Sequence, residues 1–515
     1  MWRALAMAVF FAGSASAQAP RSAIDWLSES LLQPPNFVIT PPGRSGHTED
    51  VSITAVPLDK ISRDAVGLLP PERTGFAGAL WGDLTSDEIV ALLDGVAHSD
   101  LPEVAALFKR VLMAQSDPPI DSGNHSRLLL ARIDHLFNMG ALDEAESLIL
   151  LAGASDAEIF RRWFEIALID QRTNAPCAAL KERPALSDDV ATRVICLARA
   201  GDWNAAAITA SLGETLGNIS EKEADLLVRF LDPVMFADLP DPGIPEPLDP
   251  ITFTLREALA LPRPAGPLPL PYLNIDRDLR TPARQRIQAA ERLVQASAIP
   301  PTLLFAAYRG TRAASSGGAW GRAEFVQALD AALVREDDAA LADAVSAAIR
   351  GFAEARLLYA FADEYGAALA EYQPGEETVK IAPQVRRILL LAGQPLENWQ
   401  GLGGADHDYV QFASQLAKGA VITGISPYNT ALADAIHMAF SNLTPPRADL
   451  PLQLEKIDAG NYGEVLLRAI NLLSPGREAD PRDIHEGLYL LRKLGLNTPA
   501  RRIATQLLLI EPHST

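Results

Sequence analysis

The chain has 515 residues, 48% hydrophobic and 21% charged, which suits a folded protein of roughly three domains or one long repeat array and excludes a disordered one. Its 65 acidic residues outnumber 45 basic ones, and a net charge of −20 argues against a nucleic-acid footprint or a polybasic dock on anionic lipid. Two cysteines are too few for a disulfide scaffold or a Cys-only zinc site.

Arg3, the apolar stretch Ala4 to Gly13 and the small residues Ala15-Ser16-Ala17 read as the three parts of a secretory signal peptide, residues 1–17, with Gln18 as the new N-terminus. About ten apolar residues cannot cross a hydrocarbon core about 30 Å thick, and no later run is long enough. The expectation is therefore a periplasmic protein, exported by cleavage after Ala17 and lacking a transmembrane segment. Residues 18–80 read as an irregular arm, with an amphipathic helix at Ala23 to Leu32 and an alternating, β-branched run at Val51 to Val56.

Residues 81–232 read as a helical-hairpin domain. Leu129, Ile133, Leu136 and Phe137 form one apolar helical stripe ended by Gly140, and Leu142, Ala145, Ile149 and Ala152 resume the spacing beyond it. Val190, Val194 and Leu197 before Gly201, with Trp203, Ala206 and Leu212 after it, repeat the design. Trp163 and Trp203 lie on these stripes and are expected in the core. Cys177 and Cys196, 19 positions apart, are expected to pair as a structural disulfide in an oxidising compartment, the alternative being two buried thiols.

Residues 233–275 read as a proline-rich linker. Eleven prolines fall between Pro233 and Pro271, leaving room only for a brief helical island at Phe253 to Leu261. Residues 276–515 read as a second helical-hairpin domain, alanine-rich from Trp320 to Ala370, with glycine bends at Gly460 and Gly495.

Four turns superpose: Gly140-Ala-Leu-Asp-Glu-Ala, Gly201-Asp-Trp-Asn-Ala-Ala, Gly460-Asn-Tyr-Gly-Glu-Val and Gly495-Leu-Asn-Thr-Pro-Ala. Glycine supplies the positive φ that ends the first helix, and a small or β-branched residue five places along lets the second helix pack on it. Gly460 and Gly495 are 35 positions apart, near the 34-residue tetratricopeptide period. These turns resemble those of tetratricopeptide-type repeats, and the chain resembles an uncharacterised family of exported bacterial helical-hairpin proteins. The pattern departs from the repeat where Ile133 and Val194 replace a helix glycine, and in the 61 positions between Gly140 and Gly201. The resemblance implies an all-α fold of stacked hairpins, a curved α-solenoid in two arms.

Chemistry-bearing motifs are lacking. The eight histidines (His47, His98, His125, His135, His407, His437, His485 and His513) make no HExxH or HxH, and Asp406-His407-Asp408 reads as a solvated loop. There is no GxSxG elbow, phosphate-binding P-loop or strand-linked GxGxxG. The helical region is similar to that of periplasmic lytic transglycosylases, but the two Glu-Ser pairs, Glu29-Ser30 and Glu146-Ser147, lack the Gly-Leu-Met-Gln run that follows the catalytic glutamate there. No catalytic, cofactor-binding or metal-ligating residue is assigned and no cofactor is expected. The reading is a non-catalytic scaffold or adaptor for an unidentified protein or peptide partner, the alternative being a cell-wall enzyme with a degenerate site.

Overall fold

The computed structural model describes residues 62–123, 126–235, 240–245, 247–312, 317–404, 408–419, 430–441 and 450–510, all in the contact unit Leu58–Thr515. The signal peptide, the helix expected at Ala23 to Leu32 and the run Val51 to Val56 lie outside the described residues. Within them every regular element is a helix; an isolated parallel bridge joins Leu69 and Ala114.

Helices α1 (Pro71–Thr74), α2 (Ser86–Asp94) and α3 (Pro102–Met113) come first. Three hairpins follow: α4 (Arg127–Asn138) with α5 (Leu142–Ala152), α6 (Ala157–Ile169) with α7 (Asn174–Glu182), and α8 (Val190–Arg199) with α9 (Trp203–Thr215). Next are α10 (Glu221–Leu231), α11 (Pro250–Ala258) and a 3-10 stretch at Leu270–Arg277. Two more hairpins are α12 (Ala283–Gln295) with α13 (Pro301–Arg309), and α14 (Ala319–Arg335) with α15 (Asp338–Glu354). Then come α16 (Leu358–Glu371), α17 (Glu376–Lys380), α18 (Ala382–Ala392), α19 (Asp408–Ala417) and α20 (Ala431–Ser441). The last hairpins are α21 (Leu450–Asp458) with α22 (Tyr462–Leu473), and α23 (Pro481–Lys493) with α24 (Asn497–Leu509).

One turn closes these hairpins. Gly140, Gly201, Gly460 and Gly495 have φ of 79°, 84°, 90° and 80°. At Gly140 its amide donates to Phe137 O (2.8 Å) and that of Ala141 to Leu136 O (2.9 Å), the double bond of a Schellman cap. Gly201, Gly460 and Gly495 make the same pair. In the other three hairpins a residue that is not glycine does so: Gln171 (φ 57°), Ser297 (φ 55°) and Glu336 (φ 52°); Ala260 and Arg356 (both φ 53°) make the same pair outside the hairpins. Gln171 accounts for the long interval in the sequence pattern, since it lies 31 positions after Gly140 and 30 before Gly201.

Segments that are not helical need donors for their carbonyls, and buried arginines supply them. On α4, Arg132 donates through Nε to Leu112 O (2.6 Å), through Nη1 to Val66 O (2.7 Å) and through Nη2 to Ala114 O (2.9 Å). Burial pulls its pKa down to about 10, with Asp64 acting in the opposite direction. Asp64 also accepts from the Leu129 amide at 2.8 Å, capping α4 from outside because Ser126 makes no side-chain cap. In the proline-rich segment Arg256 grips both Asp241 carboxylate oxygens at 2.9 Å, Gly243 O at 2.7 Å and Pro262 O at 2.8 Å. On α18, Arg386 donates to Trp399 O and Leu402 O, both at 2.7 Å.

The proline-rich segment is thus built into the packing. Helix α11 lies against α6 and α10, and the 3-10 stretch against α12. The island expected at Phe253 to Leu261 starts earlier, at Pro250, because Asp249 caps it through the Thr252 amide (2.8 Å) and proline suits a first helical position.

The first and last helices also touch. Gly463 N donates to Leu80 O at 2.6 Å, Ala97 N to Asn471 Oδ1 at 3.3 Å, and Glu103 N to Gln506 Oε1 at 3.0 Å. A Cβ on Gly463 would meet the Trp81 ring at 2.5 Å and Leu80 O at 2.9 Å. Helix propensity alone says that Gly463→Ala gains about 0.5–1 kcal/mol. Overpacking of this contact reverses the sign, and urea unfolding of the variant should show a loss of about 1–3 kcal/mol.

Candidate functional site

The residues singled out in the sequence do not converge on one chemical centre. Cys177 on α7 and Cys196 on α8 are bonded to each other and tie the second hairpin to the third. The four turn glycines are distributed along the chain, and Asn274 Nδ2 donates to Gly140 O at 3.0 Å. Glu146 is held by Arg172 (2.9 Å) and Trp163 Nε1 (3.3 Å), while Ser147 Oγ bonds back to Asp143 O, so this Glu-Ser pair belongs to a helix surface network. His135 faces Asp94 at 3.0 Å. His485 is buried edge-on to Tyr489, and burial pushes its pKa down. His47, His125, His407, His513 and Glu29 lie outside the described residues. Among the described residues no three His, Cys, Asp or Glu side chains gather as metal ligands would, and no helix is long and apolar enough to cross a membrane.

Trp163 is in the core as expected, but Trp203 is not: half of it is exposed. It is the first residue of α9 and lies in line with Ala206 and Ala210, on the side where α9 packs through small side chains. The inner face of α9 is Ala206, Ala210 and Gly213, all buried. A Cβ on Gly213 would come within 2.7 Å of Val190 Cγ1, so α8 and α9 approach closely only through small side chains. The large apolar residues therefore face outward. Ile208, Leu212 and, just past the helix, Leu216 are 61%, 54% and 70% exposed, and their spacing puts them on one side of the helix, opposite the small residues.

A second feature is a cleft of about 520 Å³ between the α6–α7 turn, the 3-10 stretch and the α12–α13 hairpin. Ile169, Ile275, Ala290 and Ile299, all buried, contribute its apolar lining; Leu279 and Leu303 line it too and stay exposed. The rim is charged. Arg172 bonds Asp170 at 2.7 Å and reaches Asp143 at 3.4 Å. Arg277 donates to Asn274 Oδ1 at 2.8 Å and faces Asp143 at 4.0 Å. Arg280 holds the half-buried Asp278 carboxylate, whose pKa falls to about 2. Arg286 differs: it donates to Leu279 O (3.2 Å), Thr281 O (3.3 Å) and Thr311 Oγ1 (3.4 Å), and no described carboxylate lies within ion-pair reach.

None of the cleft residues belongs to a motif. The one signal available was positional: Gln171 sits midway between two glycine turns and itself lines the cleft. Comparison of the chain with family models, with curated proteins and with solved structures yields no match.

Burial raises the Asp170 pKa, although Arg172 acts against it. A carboxyl whose folded pKa lies above its unfolded value makes the protein lose stability as pH rises through that folded pKa. Asp170→Asn removes this loss. Denaturation series at successive pH values should show the variant gaining on the wild type as pH climbs from ~4 upward.

Proposed function

We propose that this chain is a non-catalytic periplasmic scaffold or adaptor, exported by cleavage after Ala17, that holds a protein or peptide partner on the surface of a curved stack of helical hairpins. In this proposal the stack resembles tetratricopeptide-type repeats, and its two arms, on either side of the proline-rich segment, meet where α22 and α24 touch the first helices.

The outward face of α9 carries the reading. A helix whose small residues face in and whose Ile208, Leu212 and Leu216 face out has its packing surface satisfied and still keeps an apolar stripe in water. Each half-exposed side chain has roughly 100 Å² left to bury, about 2.5 kcal/mol at ~25 cal/mol/Å², before association costs are subtracted. The paired state of Glu146 favours this reading over a transglycosylase-like enzyme.

The test uses photo-crosslinking from position 212 in intact cells, followed by co-purification. A defined partner should crosslink to the wild-type face and disappear in an Ile208→Asp, Leu216→Asp double variant whose unfolding free energy changes by no more than about 0.5 kcal/mol. Loss of no partner in that variant, or release of soluble muropeptides from purified peptidoglycan by the mature protein, contradicts the proposal.

A further inference from the structure

The cleft beside the α6–α7 turn is a different surface from α9. Its volume of about 520 Å³ falls within the ~300–1,000 Å³ typical of ligand sites. On one wall Leu303, Ala306, Ala307 and the exposed Leu279 form an apolar trough. Beside it stands Arg286, half-buried in the first turns of α12. The other basic residues of the rim are engaged by acids: Arg172 by Asp170 and Asp143, Arg277 by Asp143, and Arg280 by Asp278. Arg286 makes only long bonds to neutral oxygens, so its forked guanidinium retains the charge and geometry to receive a carboxylate.

We propose that this cleft binds the C-terminal end of a peptide, with the free carboxylate on Arg286 and the last aliphatic side chain in the trough of Leu279, Leu303, Ala306 and Ala307. The rim favours a peptide as the source of that carboxylate. Asp170 Oδ1 has no partner among the described residues and Asp143 Oδ2 only a distant one, so both remain as acceptors for main-chain N–H groups. A bare hydrocarbon chain would cover these carboxylates without satisfying them, which costs free energy. A C-terminus supplies the anion, the amides and the apolar group within one or two residues.

The probe is a fluorescein-labelled Gly-Ala-Ala-Leu peptide, prepared once with a free C-terminal carboxylate and once as the amide, and titrated by anisotropy against the mature protein. The acid is expected to bind at least about tenfold more tightly than the amide, which is the weight of a charge-assisted pair. Arg286→Gln should erase that preference while leaving amide binding unchanged, and Leu303→Asp should weaken both forms. The acid–amide comparison on the wild type needs no variant, so a folding defect in either mutant cannot rescue the idea. Equal affinity for acid and amide, absence of saturation up to about 1 mM, or a preference that survives in Arg286→Gln overturns it. The Ile208→Asp, Leu216→Asp double variant should bind the peptide normally, which separates failure of this site from failure of the α9 face.

Discussion

Each hairpin depends on a single residue held at positive φ. Helices of nine to seventeen residues make up the hairpins, and the shorter of them are marginal in water on their own. They persist because the chain reverses tightly enough for each to lie on its partner. The reversal requires a left-handed residue directly after the first helix, with its amide and the next one satisfying carbonyls of the helix's last turn. Which side chains point into a hairpin and which point out follows from where that turn falls. At Gly201 the register puts Ala206, Ala210 and Gly213 inside and Ile208 and Leu212 outside, so the exposed stripe of α9 is a consequence of the same turn that builds the core.

Helical hairpins alone do not account for a chain with 38 prolines. The connecting segments carry carbonyls without helical partners, and guanidinium groups on neighbouring helices take them up. Arg132 does this for the segment before Leu80, Arg256 for the proline-rich segment and Arg386 for the turn around Trp399. A forked, always-charged donor suits the role because one side chain can serve three carbonyls at once. The same residue type, left with only long neutral contacts at Arg286, turns from a structural clamp into a group able to recognise a ligand.

The all-helical class was legible in the sequence, since stripes such as Leu129, Ile133 and Leu136 followed by Gly140 admit little else. The turns at Gln171, Ser297 and Glu336 were not. Their left-handed conformation is imposed by the packing of the helices on either side, and nothing in the identity of glutamine, serine or glutamate announces it. That is why the interval from Gly140 to Gly201 looked irregular in the sequence and regular in space. Leu212 was misplaced for a related reason: helical spacing shows that a stripe exists but not whether the neighbouring helix packs on the large side or the small one. Trp203, in line with Ala206 and Ala210, is half exposed at the first position of α9. The cleft could not be read at all, because Arg172 and Arg286 come together only through the fold.

The claim that these turns govern the fold has a direct measurement: the urea-unfolding midpoints of Gly201→Ala and Glu336→Gly compared side by side. Space around Gly201 is open and Glu336 is exposed, so neither exchange disturbs packing. Gly201→Ala should cost about 1 kcal/mol, since alanine enters the left-handed region unfavourably, and Glu336→Gly should gain about 0.5–1 kcal/mol by relieving the same strain. Shifts of the same sign, or a Gly201→Ala protein as stable as the parent, would contradict the account.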